Sequence, residues 1–442
     1  MKLSKAWISQ IFFTLVEHGA VRILDALITF CLIRVLTQQH FGLFSLYQSW
    51  VGILLLFLPA LEVILYRTYA SLKQSGKLAS ELDIYWAFNQ FRLILATIAV
   101  FVLCLLPNAM PYWIRVSLFS FAIALPLSNS IYGILREPLR FEMRQKTVAF
   151  ISFFQRFCLI LVIALTYFLQ ERGATQNAIY FLAIGALSSY VLFGWIWILF
   201  SKDLFPKREK SFLPNSKKLR TAFSVFFNSV VWLHINGSLV AAIQTLDTLA
   251  LGSNHLALEE IGHYAIALKA ANFFQIVPVA LINSFGVYLA RANSDFEKEK
   301  RLIFQFSFIF LIGCVVLYLF GGIASEPLLS FLTKGKLDSI AFDRTQEYFH
   351  WQLIGVLIQC ASFPLSTYLG ARGKLKELTF YIFIPFSLIS TLVYFYAASL
   401  SHDQFYNVLM TAKANSVVYG VLVFLMVSYY GYFYGRMRRS NI

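Results

Sequence analysis

Charge is scarce in this chain. Only 13% of its 442 residues are Asp, Glu, Lys or Arg, whereas 59% are hydrophobic. Soluble domains carry about 25% charged residues, so a soluble globular class is excluded. Apolar stretches of about 20 residues, long enough to cross a bilayer as an α-helix, recur along the whole sequence. Alternation with the period of a β-strand is missing, which argues against a membrane barrel.

Cysteines and the motifs of catalysis are also scarce. The five cysteines all lie in apolar stretches, and none has the spacing of metal ligands. We interpret them as small buried hydrophobic residues, and we expect no metal, no cofactor and no catalytic residue. No Walker-type motif is present, so direct use of ATP by this chain is not expected. A cleavable signal peptide is not expected either, because the first apolar stretch lacks a small-residue cleavage site.

The apolar stretches predict an all-α polytopic membrane protein with about twelve transmembrane helices. Residues 322–345 are the least regular connection, because their apolar LLSFL is too short to span a bilayer. The expected spans are 8–35, 41–66, 84–107, 111–135, 147–169, 177–200, 221–250, 258–290, 302–322, 346–370, 377–398 and 404–432.

The Lys and Arg residues outside the spans predict the orientation. If the N-terminus is cytoplasmic, 26 of the 37 cations fall in the termini and inside connections, against five outside. The positive-inside rule therefore places both termini in the cytoplasm, which in a bacterium means an inner-membrane protein. It also accounts for most of the net charge of +15, which in a soluble protein would suggest nucleic-acid binding.

The chain resembles one membrane unit written twice. Residues 41–49 (FGLFSLYQS) correspond to residues 261–269 (IGHYAIALK), and a proline follows each copy, at Pro59 and Pro278. PLS before an arginine also occurs twice, at 126–128 and 364–366. Six spans in each half make the repeats parallel. The predicted organisation is an N-terminal half (1–200), a basic cytoplasmic linker (201–220) and a C-terminal half (221–442).

Six cations remain within or near the spans, where a charge is costly and often functional. Arg115 lies near an outer surface and is expected to reach the headgroups. Arg92 and Arg156 lie eight or nine residues into their spans, so they either line an inner vestibule or reach the headgroups. Arg22, Lys269 and Lys413 lie closer to mid-depth.

Polar residues form stripes on two of these helices. At 100° per residue, Arg22 and Asp25 share one face of the first span with Thr14, His18 and Thr29. This stripe is either a wet face or an Arg22–Asp25 pair packed against a neighbouring helix. In the eighth span, Lys269 shares a stripe with Asn272, Gln275 and Asn283, and Asp247 on the seventh span is its expected partner.

These residues predict a central cleft between the two halves with a net positive charge. Such a cleft suits an anionic substrate such as a phosphate or pyrophosphate. Lys269 stands where the first repeat has Ser49, so the added charge lies on one wall. The candidate substrate-binding residues are Arg22, Lys269, Lys413, Asn272 and Gln275. Asp25 and Asp247 are candidates for ion coupling.

Three segments resemble a known family. RILDALITFCLIRVLTQQHFGLFSLYQS is similar to the first two spans of bacterial polysaccharide and O-antigen flippases, of the multidrug/oligosaccharidyl-lipid/polysaccharide exporter superfamily. LDTLALGSNHLALEEIGHYAIALKAANFFQIVP is similar to their seventh and eighth spans, and ARGKLKE (371–377) to their tenth-to-eleventh connection. The resemblance implies a V-shaped bundle whose cationic lumen maps onto Arg22, Lys269 and Lys413.

The resemblance further implies a flippase, not an enzyme, that moves undecaprenyl-pyrophosphate-linked oligosaccharide to the outer leaflet by alternating access. Its expected partners are that substrate, membrane lipids, a polysaccharide polymerase and a chain-length regulator. A multidrug exporter of the same superfamily is one alternative, although buried cations do not suit cationic drugs. A polysaccharide polymerase or glycosyltransferase is another, but the outside connections are short and paired acidic motifs are missing.

Overall fold

In a computed structural model of the chain, every regular element of the described part is helical. Each of the twelve predicted spans contains helix. Six helices of the described part are long and apolar enough to cross a membrane: Gln145–Glu171, Ala178–Phe200, Arg301–Thr333, Ser339–Gly370, Leu375–Ala397 and Gln404–Phe433. The structure describes residues 5–54, 61, 65–105, 111–142, 144–172, 175–204, 214–279, 281–282, 296–372 and 374–440.

The chain packs as two compact units. The first contains Met1–Val35 and Trp50–His234, and the second contains Leu36–Ser49 and Ile235–Ile442. The predicted division at a 201–220 linker stays a prediction, since residues 205–213 lie outside the described residues.

Helices of the first unit meet around an aromatic core. Phe88 and Phe226 stack with their ring centroids 6.3 Å apart, and Leu139, Phe193 and Trp197 are buried beside them. Its helices are α1 (Lys5–Val35), α3 (Leu65–Gln74), α4 (Leu78–Leu105), α5 (Tyr112–Ile131), α6 (Gly133–Phe141), α7 (Gln145–Glu171), α8 (Thr175–Phe200) and α9 (Ser216–Val225), followed by a π-helical turn at Phe226–Val230.

The second unit begins with the larger part of α2 (Gln38–Leu54). Its α-helices start at polar caps where the sequence provides them, as at Asp338, whose carboxylate accepts the backbone N–H of Ala341 at 2.7 Å. The other helices are α10 (Val231–Ser253), α11 (Leu258–Phe273), α12 (Phe296–Thr333), α13 (Ser339–Ala361), α14 (Phe363–Ala371), α15 (Leu375–Leu378), α16 (Ile384–Ala397) and α17 (Gln404–Ser440), with a π-helical turn at Thr379–Phe383 between α15 and α16.

The two repeated glycines contact each other's helix. A Cβ on Gly42 would lie 1.9 Å from the carbonyl oxygen of Leu258, and a Cβ on Gly262 would lie 2.2 Å from that of Gln38. Each glycine therefore faces the first residue of the partner helix, which makes the crossing of α2 and α11 nearly reciprocal. Glycine at both positions lets the two backbones approach this closely.

A short helix followed by a turn is also repeated, but its two copies do not correspond to the two PLS motifs. α6 and α14 are both nine residues long, and each ends in a turn of the same form. In these turns Arg144 N–H bonds Leu139 O at 2.9 Å, and Lys374 N–H bonds Leu369 O at 3.1 Å. Pro126 lies inside α5, whereas Pro364 lies in the first turn of α14, so the two PLS motifs occupy different places in their helices.

The irregular connection at 322–345 is mostly helical. Its LLSFL segment continues α12 as far as Thr333, so it does not form a separate short element. A turn follows with positive φ at Lys334 (48°) and Gly335 (72°), and Asp338 then starts α13. Lys336 ties this turn to the start of α2, since its carbonyl accepts the Gln38 side-chain amide at 2.8 Å.

Candidate functional site

The second unit holds a buried carboxylate, that of Asp247 on α10. Its exposed fraction is 3%, so it requires several donors to stay in an apolar interior. One oxygen accepts the Tyr264 hydroxyl of α11 at 2.7 Å. The other accepts the backbone N–H of Thr248 at 2.6 Å and the Thr248 hydroxyl at 3.2 Å. The carboxylate is therefore held between α10 and α11.

Asn415 of α17 extends this network to three more helices. Its amide nitrogen lies 3.5 Å from Asp247 and 3.4 Å from the Tyr264 hydroxyl. The same nitrogen bonds the side-chain oxygen of Gln352 on α13, and the Asn415 oxygen accepts the Tyr394 hydroxyl of α16. Five helices thus share one continuous polar network inside the unit, which fixes its side chains together.

The close approach of α13 and α17 makes these bonds possible. A Cβ on Gly355 would lie 2.9 Å from the Cβ of Asn415, which is tighter than ordinary van der Waals contact. Because Gly355 has no side chain, α17 approaches α13 until Asn415 meets Gln352, one helical turn away on α13.

Lys269 interacts electrostatically with Asp247 across the contact of α10 and α11. It is half-buried, and within the described part of the chain it makes no hydrogen bond and no ion pair within 4 Å. Lys413 of α17 has its ammonium 5.4 Å from the centre of the Trp351 ring on α13. Such a cation–π contact partly compensates a charge in a dry environment.

The two predicted amides of α11 and its extension have different surroundings. Gln275 donates to the side-chain oxygen of Gln359 at 2.8 Å, and this bond occupies part of its hydrogen-bonding capacity. Asn272 is half-buried. Asn283, the fourth member of that stripe, lies outside the described residues, as does Pro59 of the repeat.

In the first unit, Asp25 of α1 pairs with Arg156 of α7. The Arg156 Nε lies 3.2 Å from an Asp25 oxygen, and only 4% of the Arg156 side chain is exposed. Arg22 is exposed and acts on Asp25 only through its charge. The ion-pair partner of Asp25 is therefore Arg156, whereas the sequence had suggested Arg22. Of the other stripe members, the side chains of Thr14 and His18 lie outside the described residues.

Arg92 on α4 is almost completely buried, with 1% of its surface exposed. Its guanidinium lies 3.4 Å from the side-chain oxygen of Asn89, one turn earlier on the helix. Arg156 similarly bonds the backbone carbonyl of Ser152 at 3.4 Å. Both arginines thus bond a residue of their own helix, and Arg156 also bonds Asp25 of α1. The vestibule role predicted for them stays a prediction.

The structure therefore brings together Lys269 and Asp247 in one unit, and Asp25 and Arg156 in the other. Sequence reasoning missed Tyr264, Gln352, Tyr394 and Asn415. Each looks ordinary by itself, because a single polar side chain in a long apolar helix carries no information about its partners. Asn415 had the strongest signal, since it lies beside Lys413 in the small and polar segment TAKANS.

The two clusters each place a carboxylate beside a cation inside one unit. A buried carboxylate that accepts several neutral donors can also hold a proton or a cation. No group of three or more His, Cys, Asp or Glu side chains suited to a metal occurs in the described part. The residues present offer hydrogen bonds and charge inside a helical bundle.

Comparison with solved structures identifies the fold. The chain is similar to a multidrug resistance MATE family transporter of the MOP superfamily in an inward-facing conformation, with TM-score 0.58 and 11% identity over 98% of this chain and 95% of the other. An outward-facing conformation matches with TM-score 0.58 and 12% identity over 98% and 96%. A MATE structure in complex with MaL6 matches with TM-score 0.51 and 11% identity over 98% and 96%.

No family model matches this chain, and neither does any curated protein sequence. The expected fold of about twelve membrane helices in two repeats is confirmed by the similarity over nearly the whole length. The chain is therefore a multi-pass membrane protein with the fold of MATE transporters of the MOP superfamily.

Proposed function

We propose that the chain is a membrane transporter that exports an amphipathic organic solute by alternating access. The observation that carries this proposal is the fold, which matches multidrug transporters over 98% of the chain. The neighbours include an inward-facing and an outward-facing state, which are the two ends of such a cycle. The solved structures that the chain resembles are transporters and not enzymes.

Within this proposal, the Asp247 network is the element that exchanges an ion or proton during transport. Its residues all belong to the second unit, so a change of charge at Asp247 acts on the packing of that unit. Neutral donors surround the carboxylate, and Lys269 interacts with it electrostatically. Protonation would weaken the bonds from Tyr264 and Thr248 together.

The flippase of lipid-linked oligosaccharide is a second candidate, and one observation favours it. Arg22 and Lys269 are cations without an ion pair within 4 Å in the described part, and Lys413 has only an aromatic ring. Cations in this state suit the diphosphate of a lipid-linked sugar. The comparisons favour the drug exporter, since the neighbours are multidrug transporters.

Two assays in parallel decide between the candidates. The chain is expressed in a bacterial strain that lacks its own drug exporters and in a strain that lacks its surface-polysaccharide flippase. The exporter proposal predicts raised resistance to a panel of lipophilic organic cations and anions, with no restored polymer. Restored polymer without resistance would favour the flippase. If a normally expressed protein gives neither resistance nor polymer, transport of both classes is contradicted.

The location and partners belong to the same proposal. The distribution of cations predicts an inner-membrane protein with both termini in the cytoplasm. A tag at either terminus should be accessible only after the inner membrane is permeabilised. A polysaccharide polymerase and a chain-length regulator are partners only under the flippase candidate, so co-purification with them is a test of that candidate.

A further inference from the structure

An open pocket of about 490 Å³ lies at one end of the second unit. Three helices begin around it, α11 at Leu258, α13 at Ser339 and α17 at Gln404. The cation distribution predicts that these connections face away from the cytoplasm. The pocket is separate from the Asp247 network, because no residue of that network lines it.

The pocket wall is strongly acidic. Four carboxylates line it, those of Glu259, Glu260, Asp338 and Asp403, against the single guanidinium of Arg344. Asp338 and Asp403 each use one oxygen to cap the helix that follows, accepting backbone N–H groups at 2.7 Å and 3.0 Å. Glu259 is exposed and makes no ion pair or hydrogen bond within the described part.

Arg344 shows how this wall holds a cation. Its guanidinium lies 2.8 Å from Glu260 and 4.7 Å from the centre of the Phe405 ring. A carboxylate on one side and an aromatic face on the other are the two contacts that a planar organic cation prefers. After Arg344 is counted, three negative charges remain in the pocket for a second cation.

His263 is a further, independent indication of a ligand. It lines the pocket with 3% of its surface exposed, and neither ring nitrogen has a hydrogen-bond partner. Its Nδ1 lies 3.7 Å from Glu260, beyond hydrogen-bond distance. A buried polar group without a hydrogen-bond partner is destabilising, so a ligand that supplies one is favoured here. A ligand with N–H groups can donate to this ring and to the carboxylates together.

The neighbouring helix starts do not suit an anion. Asp338 and Asp403 already accept one backbone N–H each at the starts of α13 and α17, at 2.7 Å and 3.0 Å. An anion at these helix starts would therefore meet four carboxylates, two of which compete with it for backbone donors.

We propose that this pocket binds an organic cation with N–H groups, such as an amidinium, a guanidinium or a protonated amine. The volume lies in the range of small-molecule sites, about 300–1,000 Å³. The cation donates to Glu259 and His263 and lies along the acidic wall beside Phe405. The site goes beyond the proposed transport function, because binding here requires no translocation.

Isothermal titration calorimetry with the purified full-length protein in detergent tests the proposal. The probes are benzamidine, its neutral analogue benzamide and its anionic analogue benzoate, which have nearly the same shape. Benzamidine should bind saturably with one site per chain, whereas benzamide and benzoate should bind at least tenfold more weakly. Equal binding of benzamidine and benzamide, or no saturable benzamidine binding, would overturn the proposal.

Two variants locate the binding in this pocket. Glu259→Gln should weaken benzamidine binding about threefold to tenfold, as expected for one exposed charge. Asp343→Asn is the matched control, because Asp343 is exposed on α13 and lies outside the pocket lining. It should leave the affinity unchanged. Equal effects of both variants would show only a general charge effect and would overturn the assignment to this pocket.

His263→Gln then tests the buried ring. The glutamine keeps a hydrogen-bonding group of similar size, and thermal unfolding of each variant checks that it is folded. With folding intact, benzamidine binding should weaken while the benzamide and benzoate signals stay as in wild type. An unchanged benzamidine affinity in folded His263→Gln protein would contradict the role of this residue in the site.

Discussion

At the scale of single residues, we expect the pair of Lys269 and Asp247 to have the largest influence on the free energy of unfolding. Their charges interact across α10 and α11, and Asp247 has only neutral hydrogen-bond donors otherwise. Lys269→Met leaves the buried carboxylate without its cation, so we expect a lower free energy of unfolding. In the double variant, Asp247→Asn also removes the carboxylate charge that Lys269→Met leaves without its cation. The coupling should be about 0.5–3 kcal/mol, measured as a double-mutant cycle of unfolding in detergent.

A coupling of zero would contradict this interaction. The conservative variant Lys269→Arg keeps the charge and is the control, since it should stay close to wild type in the same measurement.

Arg156 and Arg22 offer a second comparison within the first unit. Arg156 is buried and lies 3.2 Å from Asp25, whereas Arg22 is exposed and has no ion pair among the described residues. Arg156→Gln should therefore lower the free energy of unfolding by about 1–3 kcal/mol, and Arg22→Gln by less than about 0.5 kcal/mol. Thermal unfolding of the two purified variants checks this, and the reverse order would show that Arg22 is the partner of Asp25.

At the scale of helices, the crossing of α2 and α11 depends on two glycines. Gly42→Ala would place a methyl group 1.9 Å from the carbonyl oxygen of Leu258, so the helices must separate. We expect about 1–3 kcal/mol of destabilisation from this overpacking. Gly237→Ala on α10 is the matched control, because nothing lies within 4 Å of its added Cβ. It should be neutral or slightly stabilising, since alanine favours helix.

Equal unfolding temperatures for the two glycine variants would contradict the close crossing. Gly262→Ala should reproduce the effect of Gly42→Ala, because its added Cβ meets the carbonyl of Gln38 at 2.2 Å.

The contact of α3 with the end of α6 should depend on pH. Burial favours the neutral acid at Glu142, but hydrogen bonds from Lys73 and Tyr69 and the nearby cations outweigh it and hold its pKa below the ordinary 4.5. The ammonium of Lys73 lies 2.6 Å from the carboxylate. Stability from this contact is present above the ordinary pKa and is lost as the pH falls through the lowered one.

Glu142→Gln should therefore lower the unfolding temperature at pH 7 and reduce its fall between pH 5 and pH 3. Glu171→Gln is the control, since Glu171 is exposed at the end of α7 and makes no ion pair within the described part. The same pH profile for wild type and Glu142→Gln protein would show that this carboxylate contributes nothing.

At the scale of the whole molecule, hydropathy predicted the helices because a bilayer requires long apolar spans whatever their packing. The repeat of Gly42 and Gly262 was also visible, since close backbone approach requires a small residue at a fixed place. The polar network was not visible, because Tyr264, Gln352 and Asn415 come from three helices and no local pattern joins them. The pairing of Asp25 with Arg156 was hidden for the same reason, as the two lie 131 residues apart.

Transport by the purified protein in proteoliposomes tests the central claim most directly. The measurement follows ethidium accumulation across the membrane under an imposed proton or sodium gradient, for wild-type and Asp247→Asn protein reconstituted at equal density. We expect gradient-dependent accumulation by the wild type and a loss of tenfold or more in Asp247→Asn. Accumulation by the wild type no greater than in empty liposomes, or undiminished in Asp247→Asn, would contradict an exporter that works through this network.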